Sequence, residues 1–284
     1  MPTHRIPSSP TGLELYSLRL ELSNLRLAGC VWEGVGERVN WDTVTITKLI
    51  SWLLDQLKEL MFPKRCVGCG KGGEYVCQEC EVGMWEAEQV CPACGKESQY
   101  GLVHKYCKDK TMDGLTCVWA YEGMVKRLIT KSKSNKYHYD YLKELARKSC
   151  GSFDAHEFLG FKKFLKTNPV IIPVPLYPKQ KRQMGFSPAE MVALELGRKF
   201  GVSVAAHALV RIKESLDRDG RLKAGSEVTG GGRFVLNPKA PAFEFKSVLL
   251  VDDVWTFEPM LPECASVLRT AGVKFVWGWT LVRQ

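Results

Sequence analysis

The sequence lacks the long apolar runs of a membrane protein, since no uninterrupted apolar stretch reaches the roughly eighteen residues that a spanning helix needs. It also lacks a basic start followed by an apolar segment and a cleavage site, which is the pattern of a secretory signal peptide. These two absences argue against a membrane span and against export. We therefore expect a cytoplasmic protein.

Acidic residues are in short supply, because 31 Asp and Glu stand against 40 Lys and Arg and the net charge is +9. Such an excess favours an anionic partner, either a phosphorylated substrate or nucleic acid. The composition, with 45% hydrophobic and 25% charged residues, is typical of a globular protein and argues against a disordered chain. A length of 284 residues accommodates one sizeable domain and a smaller one.

The eleven cysteines are unevenly spread, and seven of them lie between Cys66 and Cys107. With one histidine they form four pairs of equal internal spacing: Cys66 and Cys69, Cys77 and Cys80, Cys91 and Cys94, His104 and Cys107. Tight pairs in a cytosolic chain favour metal ligands over disulfides, with free thiols or a redox pair as the alternative. Eight ligands suffice for two tetrahedral Zn²⁺ sites, one Cys₄ and one Cys₃His.

Sequential pairing is the simplest assignment of these ligands, although the spacing leaves interleaved pairing open. It groups the first four cysteines, from Cys66 to Cys80, in one site and the remaining residues, from Cys91 to Cys107, in the other. Because protein ligands fill all four positions, such sites are structural rather than catalytic. The segment 65–112 is too small for a core of its own, so we expect metal binding to supply its folding energy.

Residues 47–64 show the apolar periodicity of an amphipathic helix, which Thr47 is placed to cap and Pro63 to end. An apolar face at helical spacing usually packs on its own protein, with a membrane or a partner as the alternative. Residues 1–46 form an N-terminal extension to which the sequence assigns no function.

Residues 245–271 predict a strand, a loop and a helix. Val248–Val251 is a short apolar run of the kind found in strands buried on both faces, and Asp252 and Asp253 follow it. Apolar residues then recur at helical spacing from Leu261 to Leu268. Open α/β sheets bind ligands at the carboxyl ends of their strands, which makes the two carboxylates a candidate site. The alternative is that these aspartates only cap the next helix.

The run Val-Leu-Leu-Val-Asp-Asp-Val, followed by Thr256, resembles the phosphoribosyl-pyrophosphate (PRPP) motif of type I phosphoribosyltransferases. Upstream stand a helix ending in Phe-Pro before the cysteines, then Tyr121-Glu-Gly-Met, then Pro173-Val-Pro with a basic Gly-Phe loop. In this order the features resemble the ComF/GntX-like family over about residues 50–284. The resemblance implies an α/β fold over 113–284, with a mainly parallel sheet and flanking helices behind a small zinc-ribbon domain.

The same resemblance implies a role for each matching residue. Asp252 and Asp253 would hold the ribose hydroxyls, and Thr256 would begin the phosphate loop. Lys133 and Arg182 would lie on the pyrophosphate side, and Mg²⁺ would arrive with PRPP. The family is linked to natural transformation, which implies single-stranded DNA and the DNA-uptake machinery as partners.

Several positions depart from the family pattern. Phe257, Glu258, Pro259 and Met260 stand where the phosphate loop usually has small residues. Proline has no N–H to offer a phosphate, and a glutamate beside a phosphate repels it by about 4 kcal/mol per unit charge at 4 Å. The usual Arg-Gly-Phe-Asn-Gln reads Met184-Gly-Phe-Ser-Pro188. We therefore predict an accessory factor with a drifted PRPP site; the alternative is an active phosphoribosyltransferase with an unknown acceptor.

A basic segment offers a surface for that DNA partner. Between Lys126 and Lys148 there are eight Lys and Arg residues, interleaved with Tyr137, Tyr139 and Tyr141. Such a pattern suits phosphate contacts and base stacking on single strands, and the alternative is an ordinary solvated helical face.

Overall fold

The computed structural model describes Ile50 and residues 63–134, 138–151, 155–212, 232–238, 245–256 and 260–284. The residues from 63 onward belong to one compact unit, Glu59–Gln284. The N-terminal extension and nearly all of the expected helix over 47–64 lie outside the described residues. The loop residues Phe257, Glu258 and Pro259 also lie outside them.

A four-stranded parallel sheet forms the centre of this unit. The strands, in chain order, are β1 Gly114–Ala120, β2 Val170–Pro173, β3 Leu209–Arg211, β4 Phe234–Leu236, β5 Ser247–Trp255 and β6 Phe275–Arg283. The order across the sheet is β1-β6-β5-β2, while β3 and β4 form a separate antiparallel pair. The expected α/β class with a mainly parallel sheet is confirmed.

Helices flank the sheet on both faces. They are α1 Gln78–Glu81, α2 Gly123–Ser134, α3 Asp140–Ser149, α4 Leu159–Leu165, α5 Pro178–Met184, α6 Pro188–Phe200 and α7 Met260–Thr270. Side chains of β5 alternate between two apolar clusters, because successive strand residues point to opposite faces. Leu249 and Val251 join the cluster that holds α2, α3 and α6, whereas Val248 and Leu250 join the cluster that holds α7. This double burial explains the continuous apolar run in the sequence.

The cysteine-rich segment shares the core of the sheet unit. Val76 lies between the first and second cysteine pairs. It is fully buried in the same hydrophobic cluster as Leu128 and Leu145. Residues 85–89 run along the outer edge of β1, where the Gln89 amide donates to the Cys117 carbonyl at 2.7 Å. Metal binding is therefore not the sole source of folding energy for this segment, because the sheet supplies it with apolar contacts.

Arg269, near the end of α7, ties three parts of the chain together. Its guanidinium donates to the Thr111 carbonyl and to the Asp113 carboxylate, both at 2.9 Å. The same carboxylate accepts from the Val276 N–H at 2.8 Å.

We expect Arg269→Ala to lower the free energy of unfolding by about 2 kcal/mol, measured by denaturant titration. Arg198→Ala, on the exposed face of α6, is the control and should stay within about 0.5 kcal/mol of the parent.

Candidate metal centres and carboxylate cavity

The first four cysteines form a compact cluster. The Sγ atoms of Cys66, Cys69, Cys77 and Cys80 all lie within 4.8 Å of one another. The Cys69 and Cys77 sulfurs are 3.5 Å apart. Tetrahedral Zn²⁺ with Zn–S bonds of 2.3 Å requires sulfurs separated by about 3.8 Å, so the cluster fits the ion.

The second cluster contains Cys91, Cys94, His104 and Cys107, whose ligand atoms also lie within 4.8 Å of one another. The Cys91 and Cys107 sulfurs are 3.8 Å apart, and His104 Nδ1 lies 3.3 Å from Cys94 Sγ. His104 Nε2 faces the Glu97 carbonyl at 3.1 Å. A hydrogen bond from Nε2–H to that carbonyl leaves the Nδ1 lone pair directed at the thiols, the arrangement typical of a metal-binding histidine.

Tight turns present these ligands. Gly70 and Gly95 directly follow the Cys-x-x-Cys pairs and have φ values of 77° and 68°, which favour glycine. The N–H of each closes its turn onto the carbonyl of Cys66 or Cys91 at 2.9 Å. The Cys77 N–H also approaches the Cys66 sulfur at 3.5 Å. The structure thus groups the eight ligands sequentially.

The electrostatics of the first cluster call for a cation. Burial opposes ionisation of Cys66, yet backbone N–H donors from Cys77 and neighbouring residues lower its pKa to about 6. Hydrogen bonds with the Cys77 and Cys66 thiols, followed by burial, raise the pKa of Cys80 to about 12. Without a metal, ionisation of Cys66 is therefore favoured while ionisation of Cys80 is opposed. A divalent ion would stabilise the remaining thiolates, so both clusters are compatible with structural zinc.

Asp252 and Asp253 lie inside β5 rather than after it. The apolar pattern predicts a strand that stops at Val251, but pairing with β6 continues through Asp252 opposite Thr280 and on to Trp255. Pairing with β2 ends at Val251, so the carboxylates extend beyond the neighbouring strand. Neither aspartate caps the next helix, because both lie within β5, which continues to Trp255.

The two carboxylates have different surroundings. Asp253 forms a 2.6 Å ion pair with Lys133 of α2. Burial favours the neutral amine of Lys133, but the charge of Asp253 prevails and raises the pKa of the lysine. Asp252 is buried on the opposite face, and its Oδ1 accepts the Asp253 N–H at 2.9 Å. Burial, and then the charge of Asp253, raise the pKa of Asp252 well above its usual value.

A cavity of about 550 Å³ opens beside this ion pair. The described residues that line it are Tyr121, Ile129, Lys133, Asp253, Val254, Thr256, Met260 and Gln284. Among these residues only Lys133 is cationic, and it is already paired. Arg182 is exposed on α5, where its Nε donates to the Pro178 carbonyl at 3.3 Å. The cavity therefore unites Lys133, Asp253 and Thr256 but not Arg182. The sequence assigned no site role to Gln284, which belongs to no motif, or to Tyr121, which entered only as part of the Tyr121-Glu-Gly-Met resemblance.

Comparison with known proteins places the metal clusters in a recognised domain. Residues 57–110 match the double zinc ribbon domain. Competence protein F of Haemophilus influenzae is 26% identical over 231 residues, covering 78% of this chain and 98% of that protein. These findings support a ComF-like family for the chain.

Helix α2 carries four cations, and three of them differ from Lys133 in having no described acidic partner. Lys126, Arg127 and Lys131 are exposed, and among the described residues none of them has an acidic partner. The cations of α3 differ, because each of them has an acidic neighbour: Lys143 with Asp140, Arg147 with Glu144 and Lys148 with Glu81. The described part of the predicted basic stripe is thus without acidic partners at Lys126, Arg127 and Lys131 only, because Lys133 is paired with Asp253.

Two of the predicted stacking tyrosines, Tyr139 directly before α3 and Tyr141 within it, are engaged within the protein. Tyr139 packs edge-on against Phe186, with ring centroids 6.1 Å apart, and Tyr141 packs against Tyr75 at 4.8 Å. Tyr137 lies outside the described residues. A solvated, internally paired face therefore describes α3 well.

None of the helices in the described part of the chain combines the length and the apolar character that a membrane span requires.

The different surroundings of the two aspartates predict opposite effects of substitution. Asp252→Asn replaces a carboxyl whose ionisation is opposed by burial and should raise the melting temperature. Because the folded pKa of Asp252 lies above its unfolded value, the native carboxyl loses stability as pH rises above about 4. The stability difference in favour of Asp252→Asn should therefore grow as pH rises above about 4.

Asp253→Asn leaves Lys133 without its counterion and should lower stability by about 1–2 kcal/mol. Two variants that shift in the same direction at pH 7 would contradict these assignments.

Proposed function

We propose that the chain is a competence-related accessory protein that holds single-stranded DNA on a phosphoribosyltransferase-like scaffold. The ComF-like family and the name of the Haemophilus relative support a competence role. In this proposal residues 65–112 are the double zinc ribbon with two structural Zn²⁺ ions, and residues 113–284 are the transferase-like domain. The protein works in the cytoplasm with the DNA-uptake machinery.

The unpaired cations of α2 carry the proposal. Arg127 and Lys131 are four residues apart, and like charges at this spacing repel on the surface of a helix. No described acid offsets them. Such a placement is stabilised when an anionic partner binds, and a phosphate backbone supplies closely spaced negative charges. The net charge of +9 acts in the same direction by raising the rate of encounter with DNA.

The carboxylate cavity supports a scaffold role for the transferase-like domain. PRPP carries a pyrophosphate and a 5′-phosphate, whose charges a site offsets with cationic side chains, backbone N–H groups and Mg²⁺. Lys133 is the one cation among the described lining residues. Its Nζ forms an ion pair with Asp253 Oδ2 at 2.6 Å. A ribose hydroxyl that bound Asp253 would compete with that ammonium group for the carboxylate or would have to use its other oxygen.

The test is the affinity of the zinc-loaded protein for a fluorescent oligo-dT, measured by anisotropy at increasing salt. Each phosphate contact on a single strand contributes about −0.7 to the slope of log K against log salt. Three contacts from α2 predict a slope of about −2 or steeper. An affinity that does not change with salt would overturn the proposal.

A second candidate is a PRPP-dependent transferase with an unknown acceptor. It is favoured by the position of Asp253, Thr256 and Lys133 around one cavity at the carboxyl end of β5. In that case Mg²⁺ would enter with PRPP, and Asp253 would orient the ribose. The zinc-loaded protein would then release pyrophosphate from PRPP in the presence of the right acceptor, and Asp253→Asn would abolish that release.

A further inference from the structure

Tyr106, in the second ribbon, presents a rigid aromatic surface to solvent. Its ring lies parallel to the His104 imidazole, with centroids 4.8 Å apart and an interplanar angle of 14°. The tyrosine is nevertheless 75% exposed, so one face of its ring rests on the histidine and the other is open. Single exposed rings are common on protein surfaces, so the orientation of this ring and the charges around it decide whether it suits a partner.

The histidine beneath Tyr106 is fixed from both sides. His104 Nδ1 lies 3.3 Å from Cys94 Sγ, and Nε2 lies 3.1 Å from the Glu97 carbonyl. The stacked pair of His104 and Tyr106 rings therefore has little rotational freedom to lose when a partner stacks on Tyr106. Binding to a surface that is already ordered avoids the entropy cost of fixing a mobile side chain.

The charges around Tyr106 indicate what kind of partner it fits. Lys105, Lys108 and Lys110 are exposed, and among the described residues none of them forms an ion pair with an acid. Asp109 is also exposed, but its carboxylate accepts the Thr111 N–H, and the three lysines outnumber it. An aromatic ring among lysines suits a single-stranded nucleic acid, whose bases stack on the ring while its phosphates meet the cations. A duplex hides the faces of its bases, so it would lose the stacking contact.

Trp85 provides an internal comparison, because it is the other strongly exposed aromatic ring of the described ribbon. It is 68% exposed, but the exposed residues that follow it include Glu86 and Glu88. Acidic neighbours repel a phosphate backbone. Exposure alone therefore does not single out Tyr106; the combination of exposure, fixed orientation and positive charge does.

We propose that Tyr106 stacks one base of bound single-stranded DNA while Lys105 and Lys108 contact the neighbouring phosphates. This inference rests on the proposed function and extends it to the second ribbon. The metal cluster then acts in DNA binding indirectly, because the ligand His104 supports the stacking ring.

The experiment compares Tyr106→Leu, Tyr106→Phe and Trp85→Leu in the zinc-loaded full chain. The probes are oligo-dT and an oligonucleotide of equal length whose sugars carry no bases. We expect Tyr106→Leu to weaken oligo-dT binding about tenfold, with an unchanged salt slope and no effect on the abasic probe. Phenylalanine keeps the stacking face, so Tyr106→Phe should bind like the parent, as should Trp85→Leu.

The outcomes separate this inference from the proposed function. Failure of the parent protein to bind oligo-dT would overturn the DNA-binding function itself. Normal binding by the parent together with normal binding by Tyr106→Leu would overturn only the stacking role. If Tyr106→Leu loses zinc, photocrosslinking of 5-iododeoxyuridine to the unmodified protein replaces it. A crosslink at Tyr106 supports the inference, and a crosslink pattern that omits Tyr106 contradicts it.

Discussion

Replacing Cys66 by serine is expected to remove the first metal centre and to lower the free energy of unfolding by more than about 3 kcal/mol. Cys66 is buried beside three other thiols, and a serine hydroxyl is a poor zinc ligand. The loss should reach beyond the ribbon, because Val76 shares a core cluster with Leu145 of α3. We therefore expect bound zinc to fall from two ions to one per chain and thermal unfolding to shift downward as a single transition.

Cys150→Ser is the matched control for this prediction. Cys150 lies outside both clusters, and its thiol donates to the Ala146 carbonyl at 3.3 Å. A serine hydroxyl can make the same hydrogen bond, so zinc content should not change and stability should change little. A Cys66→Ser protein that retains both zinc ions and the parent melting temperature would show that the cluster is not a structural metal site.

Neutralising the three cations of α2 is expected to have the largest effect on DNA binding. In Lys126→Gln, Arg127→Gln and Lys131→Gln combined, the slope of log K against log salt should become shallower by about 2. Affinity for oligo-dT at low salt should fall at least about tenfold, since each lost phosphate contact also forfeits counterion release. The side chains are exposed, so the melting temperature should stay close to that of the parent.

A second triple variant separates local contacts from net charge. Lys163, Lys166 and Lys199 are exposed residues in or beside α4 and α6, and their change to glutamine removes the same amount of charge. We expect this variant to keep most of the affinity and nearly all of the salt slope. Equal losses in the two triple variants would mean that the overall charge, and not α2, holds the DNA.

The metal clusters and the central strand were predictable because their signals are local. Each pair of ligands sits within one turn of chain, so the spacing from Cys66 to Cys107 already implies zinc geometry. An apolar run such as Val248–Val251 likewise indicates a strand that is buried on both faces. The far end of β5 escaped prediction, because Asp252 and Asp253 interrupt the apolar pattern while hydrogen bonding to β6 continues.

Contacts between distant segments were beyond the sequence pattern. The resemblance assigned Lys133 to the pyrophosphate side of a ligand, whereas in the structure its ammonium group meets Asp253. That contact depends on how α2 packs against β5, which no spacing records. Val76 gave no signal either, since a single apolar residue between cysteines has no periodicity. The absence of acidic partners at Lys126, Arg127 and Lys131, in contrast to the paired cations of α3, also required the fold.

The most direct test of a scaffold that holds DNA is a calorimetric titration of the zinc-loaded protein with PRPP and Mg²⁺. The same preparation is first shown to bind oligo-dT. We expect no PRPP binding in the micromolar range. Lys133 is already paired with Asp253, and the described residues that line the cavity include no second cation. Micromolar binding of PRPP would contradict this account. It would instead support a phosphoribosyltransferase whose acceptor substrate has yet to be identified.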